Sequence, residues 1–139
     1  MFLSHVEIQV NDFDASAAFY DAVFAPLGAT RLEDESPHAI GWGTVGGPEF
    51  WIGVHRFGEG FRESHLAFTA RSRHAVDEFL AAARAQGAEV LHEAKEWPEY
   101  LGGPLTSYYA AFVRDPDGNN VEAVHVEFAV AGAGAAGAA

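Results

Sequence analysis

The chain has 139 residues, 49% apolar and 13% aromatic, which suits one compact domain with a real core rather than a disordered chain. A net charge of −12 with only 8 Lys and Arg argues against nucleic-acid binding, which draws on basic side chains to neutralise phosphates. No apolar run approaches the roughly 20 residues of a membrane span. The absence of cysteine excludes disulfides, thiolate metal sites and a cysteine nucleophile, and the start "MFLSHVEIQV" lacks a basic signal-peptide region, so a cytoplasmic protein is expected.

In chain order, the first element is an alternating strand at 4–10, with Val6, Ile8 and Val10 on one face and His5, Glu7 and Gln9 on the other. Helical spacing of Phe19, Tyr20, Val23, Phe24 and Leu27 predicts a helix over about 14–27, capped by Asp12 or Asp14 and ended by Gly28. Strands follow near 30–33, 39–45 and 50–55. Between the last two, "GWGTVGGP" has neither the Lys-Ser/Thr nor the following helix of a phosphate loop and reads as a hairpin or loop.

A second alternating strand, 64–70, places Leu66, Phe68 and Ala70 opposite His65, Ala67 and Thr69. The stripe Val76, Phe79, Leu80 and Ala83 predicts a helix over about 72–86, with Ser72 as cap and Gly87 as terminator. Strands are expected near 89–93, 107–114 and 120–128. The stretch 92–109, rich in Pro, Gly and aromatics, reads as a long loop able to cover a site, and "DPDG" as the turn into the final strand. The Ala/Gly-rich end, 129–139, reads as a tail.

The two halves repeat. "SHVEIQV" at 4–10 returns as "SHLAFTA" at 64–70, each followed by a helix, a glycine and three strands, and "FWIGVH" echoes "NVEAVH". The chain therefore reads as β-α-β-β-β twice, module one at about 1–58 and module two at about 62–128 in a single domain, 1–128.

The repeat sets His5 and His65 at the same register on the polar faces of their strands. With Glu122, a carboxylate among apolar residues, they form a recurrent ligand set for a divalent metal. The plainer alternatives are two hydrogen-bonded histidines inherited through duplication and a solvated strand-end carboxylate. Both faces of the last strand are apolar, so alternation does not decide which way Glu122 points. His38, His74 and His92 read as solvated, and His55 and His125 as facing away from Glu122. Serine catalysis lacks a nucleophile elbow.

The stretches "SHVEIQVNDFDASAAFYDAVFAPLGA", "SHLAFTA" and "AAFVRDPDGNNVEAVH" resemble the vicinal oxygen chelate superfamily, over residues 4–126. This is the group of glyoxalase I, bleomycin resistance proteins and extradiol dioxygenases. The resemblance implies an α+β fold in which two tandem βαβββ modules form a curved, partly open mixed β-sheet barrel with helices outside. It also implies a homodimer, with a small-molecule site often completed by the second subunit. His5, His65 and Glu122 match the family's metal ligands, for Zn, Ni, Mn or Fe(II); which metal, and whether it is retained, stays open. Aligning "FWIGVH" with "NVEAVH" puts Ile52 where a fourth ligand is expected, with Glu49 three residues away.

The missing carboxylate speaks against classical glyoxalase I chemistry. The expectation is a metal-dependent lyase, isomerase or dioxygenase acting on a small oxygen-rich substrate. Glu122 would act at the metal, and Tyr100, Tyr108 or Tyr109 would serve as proton donors. The alternative is a metal-free binding protein of bleomycin-resistance type, with Trp51, Ile52, Trp97 and Phe112 lining an aromatic pocket.

Overall fold

Period-2 alternation commits a strand to one buried and one open face, and both sheets of the protein are built on that division. The computed structural model describes residues 2–55 and 58–130. The first module comprises β1 (Val6–Val10), α1 (Phe13–Phe24), a 3-10 turn (Ala25–Leu27), β2 (Thr30–Glu35), β3 (Ala39–Gly43) and β4 (Phe50–Val54). The second comprises β5 (His65–Thr69), α2 (Arg73–Ala85), β6 (Val90–Glu96), a 3-10 turn (Pro98–Tyr100), β7 (Leu105–Arg114) and β8 (Asn120–Phe128). Each module forms its own four-stranded mixed sheet, ordered β1-β4-β3-β2 and β5-β8-β7-β6. The first and last strands of each module run parallel, and the other pairs are antiparallel. The α+β class and the tandem βαβββ order are as the sequence indicates; among the described residues the two sheets stay open and do not close into a barrel.

Local chemistry sets the helix limits. Asp12 Oδ1 accepts from the Ala15 amide at 3.0 Å and Ser72 Oγ from the Ala75 amide at 3.1 Å, each cap contributing about 1 kcal/mol. The first helix ends at Phe24 rather than Leu27, because Pro26 has no N–H for the next helical bond and the chain tightens into a 3-10 turn. Gly28 follows at φ 80°, and a side chain there would also strike the Arg71 guanidinium.

One core serves both modules. Val6, Ile8, Val10, Ile40, Trp42, Phe50 and Ile52 pack with α1, and Leu66, Phe68, Ala111, Val113, Val121 and Ala123 with α2, in a single apolar cluster. Phe68 of β5 crosses the module boundary, with ring centroids 4.8 Å from Phe24 and 5.3 Å from Phe50. Burying each such side chain contributes about 1.5–3 kcal/mol. Since both sheets turn their helix-side faces to this shared core, their other faces point away from it.

A polar lock backs the same junction. Buried Asp115, in the "DPDG" turn, accepts from the Tyr20 hydroxyl at 2.7 Å, the Asn119 amide at 2.8 Å, Asn119 Nδ2 at 2.9 Å and the Asp117 amide at 3.0 Å. Asp117 Oδ1 accepts from Asn11, from the backbone at 3.1 Å and from Nδ2 at 2.7 Å. The turn thus ties the end of module two to the start of module one.

The expected loop at 92–109 is shorter than the composition suggests. β6 runs to Glu96 and β7 begins at Leu105, so 97–104 alone is irregular. Register shifts around His92 and before Lys95 break the alternation of β6 and mask it as a strand. The tail from residue 131 onward lies outside the described residues. Among the described residues no helix is long and apolar enough to cross a membrane.

The lock yields a stability prediction. Tyr20→Phe removes one donor from a buried carboxylate and is expected to lower the unfolding free energy by about 1–3 kcal/mol in urea titration. The far-UV circular dichroism spectrum should stay unchanged.

Candidate functional site

Val121 and Ala123 join the shared core, so Glu122 and Val124 of β8 face the opposite side. The structure thereby fixes the direction that alternation leaves open. Register sets Glu122 between Ala67 of β5 and Phe112 of β7, and the small Ala67 side chain leaves room above it. Glu122 is only 2% exposed, and a buried carboxylate is costly unless both oxygens are engaged. Here they are: the Tyr108 hydroxyl donates to Oε1 at 2.6 Å, and His65 Nε2 lies 3.0 Å from Oε2. The His65 side chain is half exposed, so the pair opens to solvent on the imidazole side. Burial first, then the bond to Glu122, pushes the Tyr108 hydroxyl well above the ordinary tyrosine range and keeps it a donor.

Aromatic rings wall this face. His65 stacks on Phe112 at 6.0 Å and 17° between planes. Phe112 meets Trp97 edge-on at 5.3 Å and His92 at 5.4 Å. Tyr100 lies flat on Trp97 at 5.4 Å and edge-on to Tyr108 at 5.2 Å, while Lys95 Nζ sits 3.9 Å from the Trp97 centroid. The Trp97 indole N–H donates to the Ala110 carbonyl at 3.1 Å, which fixes the ring. Trp97, Ala110 and Phe112 form an apolar cluster separate from the main core.

Of the residues singled out from sequence, His65, Glu122, Tyr100, Tyr108, Trp97 and Phe112 share this face. Tyr109 does not: it points to the helix side of β7, where its hydroxyl donates to Asp77 Oδ1 at 2.8 Å and its ring lies under Arg73. His5 is exposed one residue before β1, its Nδ1 3.2 Å from Ser4 Oγ. Among the described residues no group of three or more His, Asp or Glu side chains gathers closely enough to hold a metal. His125 bonds the Ala70 carbonyl at 3.0 Å and faces away from Glu122, as expected. His92 is exposed, in line with its solvated reading, and its ring meets Phe112 and Trp97 edge-on.

Ile52 requires a correction. It is fully buried in the shared core and faces the helices. Glu7 pairs with Trp51 as Ala67 pairs with Glu122, so Trp51 is the counterpart of Glu122. A one-residue slip in aligning the two strand ends moves the position to the other face. Trp51 lies over Gly41, where a Cβ would come within 2.7 Å of the indole. It stands on the open face of module one, apart from Trp97 and Phe112.

Two atoms of the site suit a metal. Neighbouring donors, each about 2.1 Å from one cation and at right angles, lie roughly 3 Å apart. His65 Nε2 and Glu122 Oε2 stand at 3.0 Å, which is also the length of the hydrogen bond between them. The second module offers this pair and no third ligand beside it among the described residues.

Comparison with known proteins places these features in context. The sequence profile described as "Glyoxalase/Bleomycin resistance protein/Dioxygenase superfamily" matches residues 2–123. The uncharacterised protein YqjT of Bacillus subtilis is 30% identical over 132 residues, 88% of this chain and 97% of that one. A crystal structure of a glyoxalase/bleomycin resistance protein from Albidiferax ferrireducens is 32% identical with a TM-score of 0.75, covering 90% of this chain and 99% of its own. A glyoxalase/bleomycin resistance protein/dioxygenase family enzyme from Burkholderia phytofirmans is 26% identical with a TM-score of 0.67, covering 87% and 95%.

Alkaline pH probes the buried phenols. Tyr20 and Tyr108 have raised values, from burial first and then from Asp115 and Glu122, and Tyr109 from its bond to Asp77 first and then from burial. The unfolded chain therefore loses these protons first, near pH ~10, and their stabilisation is lost as pH rises further. The urea midpoint is expected to fall between pH 9 and 11, and the fall should be shallower in Tyr108→Phe.

Proposed function

The chain belongs to the glyoxalase/bleomycin resistance protein/dioxygenase superfamily, and from that membership we propose that it is a metal-dependent enzyme of lyase, isomerase or dioxygenase type acting on a small, oxygen-rich molecule. The observation that carries the reading is the His65 Nε2–Glu122 Oε2 pair at 3.0 Å, with the carboxylate buried. His65 and Glu122 would hold a divalent cation, Zn, Ni, Mn or Fe(II), which supplies Lewis-acid polarisation of substrate oxygens.

The protein's own groups do the remaining work. Tyr108 holds its proton and orients Glu122 through the bond to Oε1. Phe112 and Trp97 exclude water on one side and give a flat substrate an apolar surface. Tyr100, half exposed at the rim, is placed to donate a hydrogen bond to a bound ligand. Because the open faces of the two modules point away from their common core, His5 would reach the pair from a second copy, in a homodimer working in the cytoplasm.

A second reading is favoured by one observation. Trp51, which has no ligating atom for a metal, stands at the counterpart of Glu122. That suits a metal-free protein that binds flat molecules, and it argues against classical glyoxalase I chemistry at that position.

Titration of chelator-treated protein with Co(II), Ni(II), Zn(II) and Mn(II), alongside sedimentation, separates the readings. The expected result is a dimer taking up one ion per chain at micromolar concentration or tighter. His65→Ala and Glu122→Gln should each weaken uptake by on the order of tenfold or more. No uptake, together with ligand-dependent tryptophan quenching in the absence of metal, would establish the binding-protein reading instead.

A further inference from the structure

We infer that Lys95 is the anion-recognising residue on the open face of module two, so that the ligand of this face is a flat molecule with a carboxylate at the end away from His65 and Glu122. The inference rests on the reading of this face as a small-molecule site, which both functions proposed above share, and it needs no metal.

Register puts Lys95 on that face. It pairs with Ala110 of β7, and Ala110 pairs with Val124 of β8, two residues from Glu122. Cross-strand partners project to the same side of a sheet, so Lys95 shares the side of Phe112, Val124 and Glu122. Its neighbour Ala94 packs instead against the shared core. Adjacent strands lie about 4.8 Å apart, and residues two apart on a strand roughly 6.6 Å. The backbone of Lys95 is therefore about 10 Å across the sheet and about 7 Å along it from that of Glu122. That is the scale of one substituted ring bridging the two side chains.

Lys95 is held in place but not neutralised. It is the chain's one lysine, in a protein of net charge −12. Its Nζ lies 3.9 Å from the Trp97 centroid, and Trp97 is itself fixed by its bond to the Ala110 carbonyl. A ring face attracts an ammonium without using all three of its donors. The acids beside it in the chain are engaged elsewhere, Glu93 with Arg84 and Glu96 with Arg73 and Ser107. Among the described residues no carboxylate lies within ion-pair distance of Nζ.

The other described cations are less suited. Arg31, Arg73, Arg84 and Arg114 each hold a carboxylate. Arg62 lines a separate cleft with His55 and Asp117, and Arg71 lies against Gly28. An aromatic surface leads from Lys95 to the imidazole: Trp97 meets Phe112 at 5.3 Å, and His65 stacks on Phe112 at 6.0 Å. A flat apolar body suits that surface, with its carboxylate at the ammonium and its other polar groups at His65.

para-Hydroxybenzoate and the neutral para-hydroxybenzamide are the probes, titrated into chelator-treated protein at neutral pH and read by tryptophan fluorescence. Wild type should bind the acid about fivefold more tightly than the amide, the upper end for an exposed ion pair. The preference should shrink as salt is raised. Lys95→Gln should bring the acid down to the level of the amide, and Lys95→Arg should keep the preference. The inference is overturned if wild type does not distinguish the two compounds or if the preference survives Lys95→Gln. It is also overturned if Lys95→Gln weakens both alike, which would make Lys95 a packing group for Trp97. Binding of neither compound overturns the reading of this face as a small-molecule site, and Lys95 with it. Metal uptake is measured apart from these titrations, so loss of the metal reading alone is told apart from either failure.

Discussion

Phe68 sits between Phe24 and Phe50, and through these ring contacts the two modules share one apolar core. An amphipathic sheet has only one face to bury. Once both sheets spend that face on a common core with α1 and α2, their polar faces must look outward. His65 and Glu122 therefore stand on the open face of module two, and Glu7 and Trp51 on that of module one. The Asp115 turn holds the same junction by hydrogen bonds to Tyr20 and Asn119, and Asp117 bonds to Asn11. Packing and polar bonding thus agree on how the modules meet.

Within that frame, Glu122 is the feature that most needs explaining. Its burial is offset by Tyr108 on one oxygen and His65 on the other. Ala67 of β5 and Phe112 of β7 flank it across the sheet. A carboxylate needed only for stability could be replaced by an apolar side chain without cost. Its neighbour His65 is half exposed, so the pair opens to solvent on the imidazole side.

Much of this was legible in the sequence because repetition and periodicity are local signals. The recurrence of Ser-His and of the helix-ending glycines marked the modules, and Asp12 and Ser72 marked the helix starts. What could not be read is non-local. Glu122 lies on a strand with two apolar faces, and only contact of Val121 and Ala123 with α2 and the shared core decides its direction. Trp51 and Ile52 differ by one residue, and only the pairing of Glu7 with Trp51 shows which of them stands on the open face. Tyr108 and Tyr109 are adjacent and chemically equivalent in the sequence, yet one meets Glu122 and the other Asp77 on α2. The ring contact of exposed His92 with Phe112 is not legible either, because a bulge in β6 breaks the alternation around it.

The central claim is that His65 and Glu122 are two neighbouring ligands of one cation. Anomalous diffraction at the cobalt edge, from crystals grown with Co(II), tests it most directly. The account predicts a single strong peak about 2.1 Å from His65 Nε2 and from a Glu122 oxygen. Crystals in which His65 and Glu122 keep their direct contact, with no peak between them or with cobalt bound elsewhere, would contradict it.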